Sequence, residues 1–402
     1  MSILSLKIFK SLSIRNYRLF FIGHSVSVTG TWLQLTAMPW LVYTITGSAA
    51  MLGIVAFLDQ IFILFASPIA GTIADRFSRK KLLLITQSFL FMTTLLLAIL
   101  TISDSLEIWH IVAIATINGI ISAFDMTFRQ SFVLDLVPKE NLMNAVGLNS
   151  LVFNSARVIG PSIAGILIAQ IGIGFCFLFN SFSYLFAVAA LVMMKLGKQE
   201  IKEISFSIKS QVNEGIKFLK QDISLAYLLA MLSFMGILFS AVMVLIPLYV
   251  KDIYALDAHG FGFFVTSIGI GSLFATFTIA SRTSVVGIKN IIFTASLAAG
   301  AILFLFGAVI NVYATCLLLA LLGFCFVLIM GLMNSLVQIS APSQNRGVII
   351  GFFMSLYGIA PIGSLISGYV SGVYNPRITA IIGGACLIVL ALLLRKKILN
   401  EK

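Results

Sequence analysis

The stretch Gly71-Thr72-Ile73-Ala74-Asp75-Arg76-Phe77-Ser78-Arg79-Lys80-Lys81 lies between two long apolar runs, near 49–74 and 82–102. Its last six residues carry four cations, so the turn cannot sit in hydrocarbon. Each flanking run is long enough to cross a core of about 30 Å at about 1.5 Å rise per residue. Two such runs joined by a short basic turn make a membrane hairpin.

Working outward, the same alternation of apolar run and polar turn continues along all 402 residues. Further runs fall near 19–45, 109–131, 143–170 and 174–195 in the first half, and near 223–249, 260–281, 289–310, 313–339, 347–373 and 377–395 in the second. The composition agrees: 60% of residues are hydrophobic and 10% charged, against about 25% charged in a soluble domain. Mean hydropathy is +1.09, so too little polar surface exists to cover a water-exposed globule. The predicted fold class is an all-α membrane protein with twelve transmembrane helices in two pseudo-symmetric six-helix bundles. The first run is retained as a span, because many others follow it and no small-residue cleavage site is evident.

The net charge of +12 would suggest a nucleic-acid partner in a soluble protein. Here position decides otherwise, because the cations lie between apolar runs. With the N-terminus inside, all but three of the 26 basic residues fall in cytoplasmic segments. The exceptions are Lys251 and Arg377 in outer loops and Arg157 within the fifth run. Basic residues near span ends are retained on the cytoplasmic side, which predicts both termini inside. The organisation expected is a bundle over 1–196, a cytoplasmic linker over 197–222 and a second bundle over 223–402. In the linker, Ile208, Val212, Ile216 and Leu219 recur at helical spacing opposite Lys209, Asn213, Lys217 and Lys220, the pattern of an amphipathic helix at a membrane surface.

The eleven-residue turn fits G-x-x-x-D-R-x-x-R-[KR]-[KR] and resembles motif A of the major facilitator superfamily. Its chemistry suits a gate: Gly71 permits close helix approach, Asp75 can face a helix N-terminus, and an arginine among Arg76, Arg79 and Lys80 can bridge to an acid. The resemblance implies a cytoplasmic cluster that helps hold an outward-open state. In the fifth run, Asn154-Ser155-Ala156-Arg157-Val158-Ile159-Gly160-Pro161-Ser162-Ile163-Ala164-Gly165 is similar to the G-P-x-x-x-G element called motif C in antiporters. Gly160, Pro161 and Gly165 weaken a helix and let a neighbour approach, so this segment is a candidate for bending. Gly358-Ile359-Ala360-Pro361-Ile362-Gly363 in the eleventh run echoes it, as Ile279-Ala280-Ser281-Arg282 echoes Ile73-Ala74-Asp75-Arg76. These echoes suggest duplication of a six-helix half. Arg15-Asn16-Tyr17-Arg18-Leu19-Phe20, Gly30-Thr31-Trp32, Asp125-Met126-Thr127-Phe128-Arg129-Gln130 and Leu142-Met143-Asn144-Ala145 are similar to the enterobactin-exporter and macrolide-efflux group. There are departures: the arginine of motif B is replaced by Ala115, with Asn118-Gly119 nearby, and Ser281 stands where the first copy has Asp75. Proton coupling is therefore not carried over through motif B.

Ionisable residues inside spans are expensive and point to function. They are His24, Asp59, Asp125, Arg129 and Arg157, all in the first half. Asp125 and Arg129 stand i, i+4 with the acid first, a favourable helical pair. Asp59 and Arg157 both fall near mid-membrane by residue count. If they share an interior, protonating Asp59 would free Arg157 for an anionic substrate. Trp32, Gln34 and Asn118 in the first half, with Asn334 and Gln338 in the tenth run, are the polar and aromatic candidates for a substrate cavity; Trp40 and Phe128 are added as candidate cavity walls. Cys176, Cys316, Cys325 and Cys386 lie in apolar stretches without CxxC or histidine companions, so they read as packing residues rather than zinc ligands.

No GxSxG, HExxH or paired catalytic aspartate is present, so an intramembrane hydrolase has no machinery here. A channel would not need two repeated halves with gating motifs. What the resemblance implies is a monomeric secondary transporter of a bacterial inner membrane, without cofactor or metal. It would export an amphipathic small molecule, a siderophore or drug, in exchange for protons, with membrane lipids as its other contacts. Uptake or flipping of another metabolite or lipid is the alternative within transport, and a nonconducting receptor the alternative outside it. The charge distribution yields a direct test. A cysteine at Asp257 should react with an impermeant thiol reagent added outside intact cells, and one at Glu203 should not. The reverse labelling would invert the topology.

Overall fold

The computed structural model describes residues 7–196, 213, 216–217, 220, 223–281, 287–340, 353, 356 and 358–399, apart from the side chains at 7–8, 67–68, 72, 75, 139, 280, 338–339 and 399. The described residues form helices and no strand, as expected where every backbone N–H and C=O must be satisfied within hydrocarbon. The helices are α1 (Arg15–Thr46), α2 (Ala49–Leu58), α3 (Phe62–Arg76), α4 (Arg79–Ile102), α5 (Ile108–Leu136), α6 (Leu142–Gln170) and α7 (Gly174–Met193). The second half has α8 (Ile223–Leu248), α9 (Ala258–Ala280), α10 (Ile288–Ala308), α11 (Val312–Ser340), α12 (Pro361–Val373) and α13 (Pro376–Leu399).

Ten segments are long and apolar enough to cross a membrane, so this is an integral membrane protein. Two of the twelve expected spans are not among the ten. The first, α1, has 32 residues but interrupts its apolar positions with Ser25, Ser27, Thr29, Thr31, Gln34 and Thr36. The eleventh is described mainly through α12, and the earlier part of its run lies outside the described residues. The second span also differs from the continuous helix expected over 49–74. It breaks at Asp59–Ile61, where the Gln60 and Ile61 amides both turn back to the Phe57 carbonyl before α3 begins. The amphipathic helix expected at 208–219 falls largely outside the described residues.

The chain divides into two compact units. One comprises Met1–Leu41 and Phe65–Ser205, the other Val42–Leu64 and Phe206–Lys402. Residues 42–64, the last turn of α1 with α2 and the break, thus group with the second half rather than with their own.

In the first unit α4 packs on α5 and α7, and its buried residues Leu83, Thr86, Gln87, Leu90, Thr94 and Leu97 recur at three- and four-residue spacing. A core of Tyr17, Phe20, Leu83, Phe128, Phe132 and Leu148 fills one end of this unit. Phe128, expected as a cavity wall, is 3% exposed and belongs to that core; its size and apolarity serve packing. The Tyr17 hydroxyl donates to the Ala145 carbonyl at 2.8 Å, tying α1 to α6.

In the second unit α9 packs on α11, α10 on α13, and α12 on both α2 and α8. The α12 contacts rest on small residues, the usual device where lipid offers no hydrophobic drive for association. The Ser240 and Ser364 hydroxyls meet at 2.5 Å, and Ser367 donates to the Ala241 carbonyl at 3.2 Å. Gly53 of α2 faces Gly368 of α12 so closely that a Cβ on Gly368 would stand 2.8 Å from the Gly53 Cα. At the end of α1, the Tyr43 hydroxyl donates to the Asp252 carboxylate, while Lys251 Nζ lies 5.5 Å from the centre of the Tyr43 ring. All four cysteines are free. Cys176 and Cys325 are buried, as a packing role requires, but Cys386 is exposed on α13, so packing does not account for it.

The α2–α12 crossing is directly testable. Gly53→Val should lower the thermal midpoint in detergent by several degrees, an overpacking cost of about 1–3 kcal/mol. Gly372→Ala is the control, because its Cβ would meet nothing closer than the Ala50 nitrogen at 4.0 Å. Equal midpoints for the two variants would contradict the tight crossing.

Candidate functional site

The buried polar centre of the first unit is built from α1, α4, α5 and α7. Asp125 lies on the buried face of α5 and is 3% exposed. Its Oδ1 accepts from Thr86 Oγ1 at 2.6 Å and from Gln87 Nε2 at 2.8 Å, and its Oδ2 accepts from Arg129 Nη2, one turn along the same helix. Arg129 Nη1 lies 2.7 Å from His24 Nδ1. A guanidinium has only donors, so His24 Nδ1 is the acceptor and the imidazole in this arrangement is neutral, with its proton on Nε2. Phe20 stacks on the His24 ring at 5.2 Å and holds its orientation. Ser27 Oγ reaches Gln87 Oε1 at 3.5 Å, and a cavity of about 20 Å³ opens beside His24, Ser27, Gln87 and Arg129, room for about one water.

This arrangement makes the cluster sensitive to protons. A carboxylate among three donors and a histidine accepting from arginine are both set up in their deprotonated forms. A proton on Asp125 would remove the negative partner of Arg129, and one on His24 Nδ1 would face the guanidinium with a second donor. Low local dielectric makes either change costly.

A second polar patch lies nearer the other end of α1. Gln34 Oε1 accepts from Asn180 Nδ2 at 2.6 Å and from Thr94 Oγ1 at 3.3 Å, and Thr31 Oγ1 lies 3.3 Å from the Tyr184 hydroxyl. Asn118 Oδ1 accepts from Thr93 Oγ1 at 2.5 Å, while its buried Nδ2 has no hydrogen-bond partner.

Arg157 sits midway along α6. Its guanidinium carbon is 5.3 Å from the ring centres of both Trp32 and Phe153, which meet edge-on at 5.7 Å. Gly160 explains the placement, since a Cβ there would stand 3.2 Å from the Trp32 carbonyl carbon, so only glycine lets α1 come this close one turn from Arg157. Pro161 sits inside α6 without breaking it, and Gly165 is buried on the same helix. Asp59 belongs to the second unit, at the α2–α3 break, and Asn334 is half-buried there on α11. Pro361 starts α12 after the turn at 358–360, the first-turn position at which proline costs no hydrogen bond.

In the basic turn, Arg79 does bridge to an acid. Its Nη1 donates to Asp135 Oδ1 at 2.7 Å and to the Ser131 carbonyl at 3.1 Å, while Nε donates to the Ala74 carbonyl at 3.2 Å, so one guanidinium joins the end of α3 to α5. Lys80 Nζ caps α7 through the Met194 carbonyl at 2.8 Å. Arg76 is exposed. Around Gly71 the described residues leave the Cβ position open, with no atom within 4 Å, so they do not make the close approach expected there. The side chains of Asp75 and Gln338 lie outside the described residues.

Sequence reasoning found Asp125, Arg129 and His24 but missed Thr86, Gln87, Asn180, Asp135 and Phe153. Only Phe153 carried a signal, one helical turn before Arg157. Among the described residues no group of three or more His, Cys, Asp or Glu is placed to hold a metal.

Residues 7–401 match the family described as transmembrane secretion effector, a family of major facilitator transporters. The chain belongs to the major facilitator superfamily. It is similar to the staphyloferrin A transporter of Staphylococcus aureus (28% identity, 89% of each chain) and to the multidrug efflux pump Tap of Mycolicibacterium fortuitum (23%, 84% of this chain and 85% of that one). It is also similar to the enterobactin exporter EntS of Shigella flexneri (23%, 94% and 90%). Among solved structures, the nucleoside transporter NupG superposes with a TM-score of 0.77 at 13% identity, over 94% of this chain and 99% of that one, a likeness of fold. Superfamily membership makes this chain a transporter and not an enzyme.

The ion pair generates a stability prediction. Asp125→Asn should strip Arg129 of its buried counter-charge and cost about 3–5 kcal/mol in chemical denaturation of the detergent-solubilised protein. Adding Arg129→Gln should restore much of that loss. Purely additive losses would show that the two charges are not coupled.

Proposed function

We propose that the chain is a twelve-span, two-bundle transporter of the bacterial plasma membrane, with both termini cytoplasmic. It works as a monomer and exports an amphipathic small molecule in exchange for protons by alternating access. The observation that carries the coupling is the Asp125–Arg129–His24 cluster. An arginine shared between a carboxylate and a neutral imidazole can be released by one proton, and the helices it joins can then repack. The relatives named for siderophores and for multidrug efflux support an amphipathic cargo.

The gating parts follow the same logic. Arg79 and Lys80 hold α3, α5 and α7 together through carbonyls and Asp135, a cytoplasmic clamp that must loosen for the inner face to open. Asp75 is the clamp's acid in this reading. Gly160, Pro161 and Gly165 in α6, and Pro361 at the start of α12, are the bending points. Asp59, at the break in the second span, is a second carboxylate for the proton route.

The experiment is uphill accumulation of ethidium into inside-out proteoliposomes under an imposed pH gradient, with the same vesicles assayed for downhill exchange. Asp125→Asn should lose at least 90% of the uphill, gradient-driven flux while keeping downhill exchange within a few fold. Uphill flux at the unmutated rate would remove the cluster from coupling. The same assay on Asp59→Asn tells whether the second carboxylate shares the role.

A further inference from the structure

The two exposed faces of α6 differ in chemistry. Ile159, Ile163 and Ile166 are 48%, 37% and 48% exposed and line one side at helical spacing. On the opposite side stand Ser150, Asn154 and Arg157, aligned at i, i+4 and i+7. Only the isoleucine side suits lipid. A serine, an asparagine and an arginine in one exposed row at mid-span require an aqueous route or a polar ligand, because intramembrane ionisable groups face a bundle interior or a water-filled cavity.

We infer that Arg157, Trp32 and Phe153 form the receiving site for an amphipathic anion, one that carries a carboxylate beside a flat apolar body. This rests on the transport reading and narrows its substrate class. The guanidinium supplies a planar fork that matches a carboxylate with two parallel hydrogen bonds, a geometry an ammonium cannot copy. The two rings do two jobs. They restrain the arginine, which reduces the ordering cost of binding, and they offer aromatic surface to the apolar part of the ligand. Phe153 is 44% exposed and Trp32 half-buried, so ring area remains to be covered.

The seam beneath them is rigid. Val28 of α1 packs with Val152 and Ala156 of α6, and Gly160 sets the distance between the helices at Trp32. The site is therefore a fixed feature of the first unit rather than a product of a mobile loop. Its position midway along α6 places it beyond the reach of bilayer headgroups, so the anion is a transported solute.

The test uses the full-length protein in detergent with two probes of equal shape, 2-naphthoate and its neutral amide 2-naphthamide. Naphthoate should bind the unmutated protein at least tenfold more tightly. Arg157→Gln should abolish that gap while holding naphthamide affinity within about twofold, which also reports that the variant is folded. Arg157→Lys should keep the fold and retain only part of the gap, since charge survives without the fork. Trp32→Ala should weaken both probes alike. Equal affinities in the unmutated protein, or a gap that survives Arg157→Gln, would overturn the assignment. A parallel flux assay separates the two levels of the argument. If proteoliposomes drive ethidium uphill but show no naphthoate preference, the anion site fails and transport stands. If a naphthoate preference exists yet neither probe nor ethidium is ever moved, the site stands and transport fails.

Discussion

A charge in hydrocarbon must be matched or wetted, and that constraint organises the first half of this protein. Asp125 cannot stay ionised at 3% exposure unless its oxygens are occupied, and the occupants come from two helices, Thr86 and Gln87 on α4 and Arg129 on α5. Arg129 in turn needs the His24 lone pair from α1. One carboxylate thus fixes the relative rotation of three helices. The small cavity beside them and the aromatic stack of Phe20 on His24 are what remains once those donors have been placed. Packing could hold the helices together without any charge. The buried pair restricts them to few arrangements, because sliding α4 or α1 by one residue leaves an ion without its partner.

The second half meets the same bilayer differently. Its interior contacts are glycine and serine, with backbone near backbone at Gly53 and Gly368 and hydroxyls shared between α8 and α12. Close van der Waals packing replaces ionic matching there. The difference parallels the sequence, where every intramembrane ionisable residue lies in the first half. One set of helices is held by contacts that a proton can alter, the other by contacts indifferent to pH.

Most of the helical architecture was legible from apolar runs and basic turns, because both follow from bilayer thickness and charge placement. Helices α4 to α11 begin and end within a few residues of the runs read from the sequence. The exceptions have physical causes. The second run is apolar throughout the Asp59 region apart from Asp59 and Gln60, so hydropathy did not signal that its backbone turns at Asp59–Ile61. Of the polar centre, the Asp125–Arg129 pair was visible because both residues sit on one helix at i, i+4. Thr86, Gln87 and Asn180 were not, since an ordinary threonine or asparagine gains meaning only from what another helix sets opposite it. Phe128 misled for the reverse reason, as aromatic size suits a cavity wall and a core equally well. Arg79 was found with its role, but its acid, Asp135, lies 56 positions away on α5, beyond any local pattern.

The polarity of α1 bears on how the chain is made. A 32-residue helix with hydroxyls or amides at Ser25, Ser27, Thr29, Thr31, Gln34 and Thr36 partitions poorly into lipid by itself. During synthesis it must wait at the translocon for company. The apolar run beginning at Ala49 follows within a few residues, and the cations Arg76, Arg79, Lys80 and Lys81 stop its far end from crossing. The first two spans would then enter as one cooperative hairpin, so the earliest commitment to topology is made by the turn after the second helix and not by the first helix to emerge.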